Sequence, residues 1–319
     1  KDIFDGQINY KNARQITKAD FEETHKRTML EVDDILLTNS GTIGRMAFVT
    51  DREATTKTTF QKSVAIIKPD KQKVLPRYLY YQLQNCVPQF INSSNGSAQK
   101  NLLLSTMRTF RIEIEENREK QEKIANTLSA YDDLIENNQK QIKLQEEAAR
   151  RLYKEWFVDL RFPGHENTKI VDGVPEGWSK STVSEVSAVL RRGISPKYNE
   201  KARGIVINQK CIRQTIVSYD EARTQEKKYP AELEMMESDI VICSTGAGKL
   251  GRVGQIFEAK GNATLDSHVT LIRANEKIGQ QSLFWSLKMQ QDYLMSAGKG
   301  STNQLELSRE TIGSCEILI

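Results

Sequence analysis

Three groups of residues have types and spacings that could carry chemistry. Gly246, Gly248 and Gly251 match G-x-G-x-x-G directly after the apolar run Ile240-Val241-Ile242-Cys243. A glycine turn between a strand and a helix would cradle a dinucleotide pyrophosphate. The next six residues, Arg252-Val253-Gly254-Gln255-Ile256-Phe257, have no helical pattern, and the matching place nearer the N-terminus reads Ser40-Gly41-Thr42-Ile43-Gly44. The nucleotide reading fails its context. Asp239 followed by Glu258-Ala259-Lys260 has the order of a metal-dependent nuclease, in which carboxylates hold Mg²⁺ and a lysine assists the attacking water. Its N-terminal counterpart, Asp34 with Glu53-Ala54-Thr55, has no lysine at the matching place. His25, His165 and His268 stand alone, without a nucleophile or ligand set, and read as surface or hydrogen-bonding residues. No cofactor or metal is expected on this chain.

The third group is small, polar and basic, and it occurs twice. Thr38, Asn39, Ser40 and Arg45 recur as Ser244, Thr245, Lys249 and Arg252. Ser97, Gln99, Lys100 and Asn101 recur as Ser301, Thr302, Asn303 and Gln304. Glycines let backbone N–H groups approach phosphates, Arg and Lys supply charge, and Asn and Gln can pair bidentately with adenine edges. These residues are the candidates for contact with double-stranded DNA.

The elements that must position them are themselves duplicated. An offset of 205 carries Asp34-Ile35-Leu36-Leu37 onto Asp239-Ile240-Val241-Ile242 and Val64-Ala65-Ile66-Ile67 onto Val269-Thr270-Leu271-Ile272. Offsets of 204 and 203 carry Leu79-Tyr80-Tyr81-Gln82-Leu83 onto Leu283-Phe284-Trp285-Ser286-Leu287, Gly96-Ser97 onto Gly300-Ser301, and Leu104-Ser105 onto Leu307-Ser308. Blocks in one order at a near-constant offset are an internal repeat. Each copy reads as an apolar strand, a glycine-rich turn, further strands, a short helix with aromatics on its buried face, a polar Gly-Ser loop and a closing strand, at 110–114 and 315–319. The second copy starts about thirty residues earlier than the first and stops before a second long helix, so the repeat predicts a longer parent at both ends.

Between the copies runs a heptad seam. Ile124, Leu128, Tyr131, Ile135, Asn138, Ile142, Gln145, Ala149, Leu152 and Trp156 alternate in steps of four and three, and no Gly or Pro interrupts 117–157. Glu136/Lys140 and Glu146/Arg150 are i,i+4 pairs in the favourable order. One helix of roughly 60 Å is predicted, its apolar stripe needing a partner helix and its polar Asn138 and Gln145 fixing register. The net charge of +4 is uneven: +5 over 1–110, −2 over 111–157 and +1 over 158–319. That permits basic faces on the lobes. No apolar run is long enough to span a membrane and no signal peptide is visible. Cys86, Cys211, Cys243 and Cys315 lack CxxC spacing, which fits a reducing cytoplasm and gives no zinc site.

Glu119-Lys120-Gln121-Glu122-Lys123-Ile124-Ala125, Asp132-Asp133-Leu134-Ile135, Leu152-Tyr153-Lys154-Glu155-Trp156-Phe157-Val158-Asp159 and Pro175-Glu176-Gly177-Trp178 closely resemble the specificity subunit of type I restriction-modification systems. Gly96-Ser97-Ala98-Gln99-Lys100-Asn101-Leu102 resembles the stretch that closes a target-recognition domain in that family. The prolines usual before the helix are missing from 110–117. The resemblance implies an α+β fold with two homologous mixed α/β target-recognition domains separated by a long coiled-coil spacer helix. The boundaries expected are 1–115 for the first domain, 116–160 for the helix, 161–174 for a linker and 175–319 for the second domain. It further implies a non-catalytic subunit whose domains each read half of a bipartite DNA site. Adenine-methyltransferase subunits using S-adenosylmethionine, and a restriction/translocase subunit using ATP and Mg, would dock on it. The rival readings are a metal-dependent nuclease and a coiled-coil scaffold without a DNA role.

Overall fold

The computed structural model describes every residue except 1, 5, 11–12, 95, 97–99, 214, 247 and 301–304. The chain divides into two compact units, Lys1–Gln141 and Ile142–Ile319.

The first unit begins with the antiparallel pair β1 (Ile3–Phe4) and β2 (Gln7–Ile8) and the helix α1 (Lys18–Thr28), whose N-terminus is capped by the Thr17 hydroxyl accepting from Asp20 N. Then come β3 (Ile35–Thr38), β4 (Met46–Phe48), α2 (Arg52–Thr55), β5 (Val64–Ile67), α3 (Pro76–Asn85), α4 (Val87–Asn92), α5 (Leu104–Thr109) and α6 (Arg118–Tyr153). The sheet order is β4-β3-β5, all antiparallel. Side chains alternate across β3. Ile35 and Leu37 therefore pack with Tyr80, Leu83, Phe90 and Leu102 on one face, and Leu36 packs with Ile3, Leu30, Ala47 and Val49 on the other. Two covered faces explain why the strand reads as a continuous apolar run.

Helix α6 starts where Asn117 Oδ1 accepts from Lys120 N, an N-cap that satisfies one free donor of the first turn. Gln121 is buried, its Oε1 accepting from Leu75 N and its Nε2 donating to Glu115 O. One turn on, Ala125 packs against Val74 and Tyr78, and two turns further Asp132 accepts from the Tyr81 hydroxyl at 2.7 Å. The predicted seam runs beside this lobe-facing stripe and stays open: Tyr131 is 63% exposed and Ile135 54%. The helix closes in a π turn, Lys154–Val158.

The second unit takes in the last turns of α6 and continues through β6 (Ile170–Val171), β7 (Val174–Pro175), β8 (Lys180–Thr182), β9 (Ser187–Arg192), β10 (Gly204–Ile207), β11 (Arg223–Gln225), β12 (Ile240–Cys243), β13 (Val253–Gln255), β14 (Ala263–Leu265) and β15 (Val269–Ala274). It ends with α7 (Gln280–Met289), α8 (Gln291–Ser296), α9 (Arg309–Gly313) and β16 (Glu316–Leu318). Its main sheet has the order β13-β12-β15-β9, a second has β11-β10-β14, and β16 pairs with β8. Tyr153 meets the Ser286 hydroxyl of α7 at 2.7 Å, and the rings of Phe157 and Phe162 lie 5.1 and 4.8 Å from that of Trp178.

The repeat extends to single hydrogen bonds. Leu102 N donates to Asn39 O, and Leu307 N to Ser244 O, both at 2.8 Å. Ser40 bridges Asn101 as Thr245 bridges Glu306, which corrects the offset here to 205: Asn101-Leu102 answer to Glu306-Leu307, in place of Leu104-Ser105 to Leu307-Ser308. Asp34 Oδ2 accepts from Glu31 N and Asp239 Oδ2 from Met236 N, both at 2.7 Å, closing turns in which Asp33 and Ser238 hold left-handed backbones. The expectation of a closing strand fails in one copy. Glu316–Leu318 is a strand because β8 pairs with it, whereas 110–114, with no pairing strand among the described residues, is extended chain whose Phe110 and Ile112 pack on the core.

Candidate nucleic-acid interface

Each lobe holds one turn loop at the end of its central strand. In the first, Thr38 N donates to Arg45 O, and the Thr38 hydroxyl bonds Thr42 O and accepts from Arg45 N, so the chain doubles back within eight residues. Gly41 N donates to Lys100 O and Ser40 bridges Asn101, which brings Lys100 and Asn101 beside the turn. Gly41, Thr42, Arg45, Lys100 and Asn101 are exposed. In the second lobe Cys243 N donates to Arg252 O, and Gly246 N to Leu305 O. Arg252 Nη2 donates to Gly248 O at 2.9 Å, tying the basic side chain across its own loop.

The glycines have local reasons. Gly44 and Gly251 both have positive φ, and a Cβ there would stand 2.5 Å from Val87 Cγ1 and 2.4 Å from Met295 N. The last glycine of the G-x-G-x-x-G run thus seats the loop on α8, and the next element is the strand β13, not a phosphate-binding helix.

The structure separates the candidate residues. Asn39 is 7% exposed and Ser244 0%; both turn inward because they continue the inward-facing alternation of Ile35, Leu37 and of Ile240, Ile242. The Ser244 hydroxyl meets Thr270 Oγ1 at 2.5 Å. Asn39 Nδ2 reaches Leu102 O, and its Oδ1 is buried without a hydrogen-bond partner. Thr38, Ser40, Thr245, Lys249 and Arg252 are half-buried and reach the surface at the loops. Ser97, Gln99 and Ser301, Thr302, Asn303 and Gln304 lie outside the described residues.

Asp239 does not behave as a metal ligand. Its two oxygens take the Arg273 guanidinium bidentately, both contacts at 2.7 Å, and it is 1% exposed. The first lobe repeats the bracket with Lys68 Nζ at 3.0 Å from Asp34 Oδ2. Among the described residues no three His, Cys, Asp or Glu side chains come together as a metal site would require.

Residues 1–146 match the family model described as the type I restriction modification DNA specificity domain. This chain is a relative of type I restriction specificity subunits. The specificity subunit of the type I restriction enzyme MjaIX from Methanocaldococcus jannaschii is 30% identical over 214 residues, 64% of this chain and 48% of that protein. That of EcoBI from Escherichia coli is 30% identical over 139 residues, 42% of this chain and 28% of that protein. The matched stretch thus spans less than half the length of either relative. The crystal structure of the type I restriction-modification S subunit from M. genitalium shares the fold, with a TM-score of 0.54 at 18% identity, covering 90% of this chain and 71% of that one.

In this relative of the specificity subunits, Thr245 lies between His268, which the sequence gives as a surface or hydrogen-bonding residue, and Gln209, which sequence reasoning missed. Its hydroxyl meets His268 Nδ1 at 2.7 Å and accepts from Gln209 Nε2 at 2.8 Å. His268 N donates to Asp266, whose carboxyl burial pushes above the usual carboxylate range. The repeat held the signal for His268, which stands 205 residues after Ser63, just ahead of the third strand of its sheet; nothing marked Gln209. Cys243 is unreactive in character, since burial pushes its thiol up to about 12. Among the described residues no helix is long and apolar enough to cross a membrane.

Proposed function

We propose that this chain is a non-catalytic, sequence-specific DNA-reading subunit of a cytoplasmic type I restriction-modification assembly, each lobe reading one half of a bipartite double-stranded site. The observation that carries the reading is one strand–turn frame, built twice with matched hydrogen bonds, which presents small polar and basic residues at equivalent places. Arg45, Lys100, Lys249 and Arg252 serve the phosphates, where charge gives affinity without sequence information. Asn101 in the first lobe and Gln209, Thr245 and His268 in the second offer the donors and acceptors that base edges require. The chain binds no cofactor of its own in this reading. Adenine-methyltransferase subunits with S-adenosylmethionine, and a restriction/translocase subunit with ATP and Mg, supply the chemistry.

The bracket formed by Asp239 and Arg273 removes the carboxylate on which a nuclease reading depends. The test is methylation mapping in cells that express this chain with its companion methyltransferase. Expected is adenine methylation at two short blocks separated by a fixed run of unspecified bases. Methylation at one contiguous site, or none that depends on this chain, overturns the reading.

A further inference from the structure

Three loops of the second lobe meet at one hydroxyl. Strands β10 and β14 run parallel, with Ile207 opposite Leu265, so the loops that leave them emerge at the same end. Strand β12 pairs antiparallel with β15, Cys243 opposite Val269, which sets the turn after β12 beside the turn that enters β15. Gln209, Thr245 and His268 stand one on each loop, and the Thr245 hydroxyl joins them.

Each partner is fixed from behind. His268 N donates to Asp266 Oδ1 at 2.9 Å, and His268 O accepts from Ser244 N at 2.8 Å. Asn208 Nδ2 donates to Glu221 O and Ile212 N to Gln209 O, closing the turn that carries Gln209. Gly246 has a φ of +94°, and a Cβ there would stand 2.6 Å from Gln209 Oε1, so glycine admits the amide with its nitrogen on Thr245.

Donor and acceptor counts place the hydrogens. An amide nitrogen only donates, so Gln209 occupies a lone pair of Thr245 Oγ1 and keeps a second N–H. Among the described residues the acceptor within reach of the remaining hydroxyl hydrogen is His268 Nδ1, at 2.7 Å. The imidazole hydrogen therefore sits on Nε2 of this exposed ring. Two N–H donors joined through one hydroxyl match a single major-groove edge. Guanine offers two neighbouring acceptors, N7 and O6, whereas adenine sets a donor beside N7, thymine a methyl beside O4, and cytosine a donor.

We infer that His268 Nε2 and Gln209 Nε2 donate to N7 and O6 of one guanine in the half-site of the second lobe, with Thr245 as their positioning residue, an assignment that rests on the DNA-reading function proposed above. At the matching place of the first lobe stands Ser63, whose carbonyl accepts from Asn39 N at 3.0 Å and whose side chain ends in a single hydroxyl. A change at His268 therefore touches one block of the target and leaves the other alone.

The test uses the full chain with its companion methyltransferase. In methylation mapping, His268→Ala should let one guanine of one block, on either strand, give way to other bases while the other block keeps its sequence. On a duplex of the mapped site, 7-deazaguanine at that guanine, which lacks the N7 acceptor, should weaken binding by the wild-type chain roughly tenfold. The same duplex should bind the His268→Ala chain as the unmodified one does. Thr245→Ser should keep the guanine preference and Thr245→Val lose it, all variants retaining the wild-type circular dichroism. A wild-type chain indifferent to 7-deazaguanine, or a His268→Ala chain that still selects the guanine, overturns the inference and leaves the DNA-reading function standing. Relaxation of both blocks together also overturns it, because His268 would then act through the fold. A wild-type chain that directs no methylation to a bipartite site overturns both.

Discussion

Asp34 and Asp239 hold different cations at the same place in the two lobes, and the difference has measurable consequences. Asp239 is buried with Arg273, and removing one member of such a pair leaves the other charge unpaired. Asp239→Ala should therefore cost about 3 kcal/mol, read as a lowered urea midpoint, with little effect of its own on the loop that faces solvent. In the first lobe burial pushes the Lys68 ammonium down, but its hydrogen bonds to Glu31 and Asp34 outweigh this and raise it above its ordinary 10.5. A raised folded value means that the stabilisation is complete below about pH 10.5 and is lost as pH rises through the folded value. Calorimetry from about pH 10 upward should show an alkaline loss of stability that Lys68→Arg reduces, since arginine does not titrate there. At the loops, Lys249→Ala should weaken binding to all DNA sequences alike and reduce the salt slope by about one. Arg252→Ala should do the same and in addition free Gly248 O, which that side chain holds. An unchanged salt slope in both would make the loop purely structural.

At the scale of elements, α6 carries two stripes. Gln121, Ala125 and Asp132 face the first lobe, and the heptad seam beside them leaves Ile124, Leu128, Tyr131 and Ile135 open to a partner helix. Polar seam residues lower stability and specify pairing. Replacing Asn138 and Gln145 together by Leu should raise the thermal midpoint while broadening the association states seen in sedimentation. Lower stability with an unchanged association state would refute the seam. This helix was legible in the sequence because a seam of 3-4 spacing is a local signal. So was β3, because four apolar residues between polar ones leave few options. Residues 110–114 mislead because a strand is a property of a pair, and five suitable residues do not become one without a neighbour. Asn39 and Ser244 have the residue types of an outward-facing contact, but the alternation that places Leu37 and Ile242 inside continues to them; parity decides the face, and residue type does not.

For the whole molecule, the helix is the candidate ruler of the DNA target. Thirty-six helical residues span about 54 Å, and the two lobes are proposed to read separate blocks. Inserting four residues between Ile142 and Ala149 lengthens the helix by about 6 Å and turns its C-terminal part by about 40°. With a matching insertion in the partner helix, the preferred spacer should lengthen by one or two base pairs, and both half-sites should keep their sequence. Selection of bound sites from a randomised pool measures this directly, and a spacer indifferent to the insertion would end the ruler hypothesis.

The inward pair beneath each turn bears on how such recognition modules can be recombined. Ser244 leans on Thr270 through a hydroxyl contact, whereas Asn39, at the same place, has Ala65 where Thr270 stands. The larger amide goes with the smaller strand residue, so the two positions differ together between the lobes. A chimera that moves one loop into the other lobe without its strand residue would set Asn39 against Thr270 or leave Ser244 over Ala65, crowding in the first case and a void in the second. The exchangeable unit is therefore the loop together with the floor under it, and libraries built by loop transfer alone should yield fewer folded members than those that carry both.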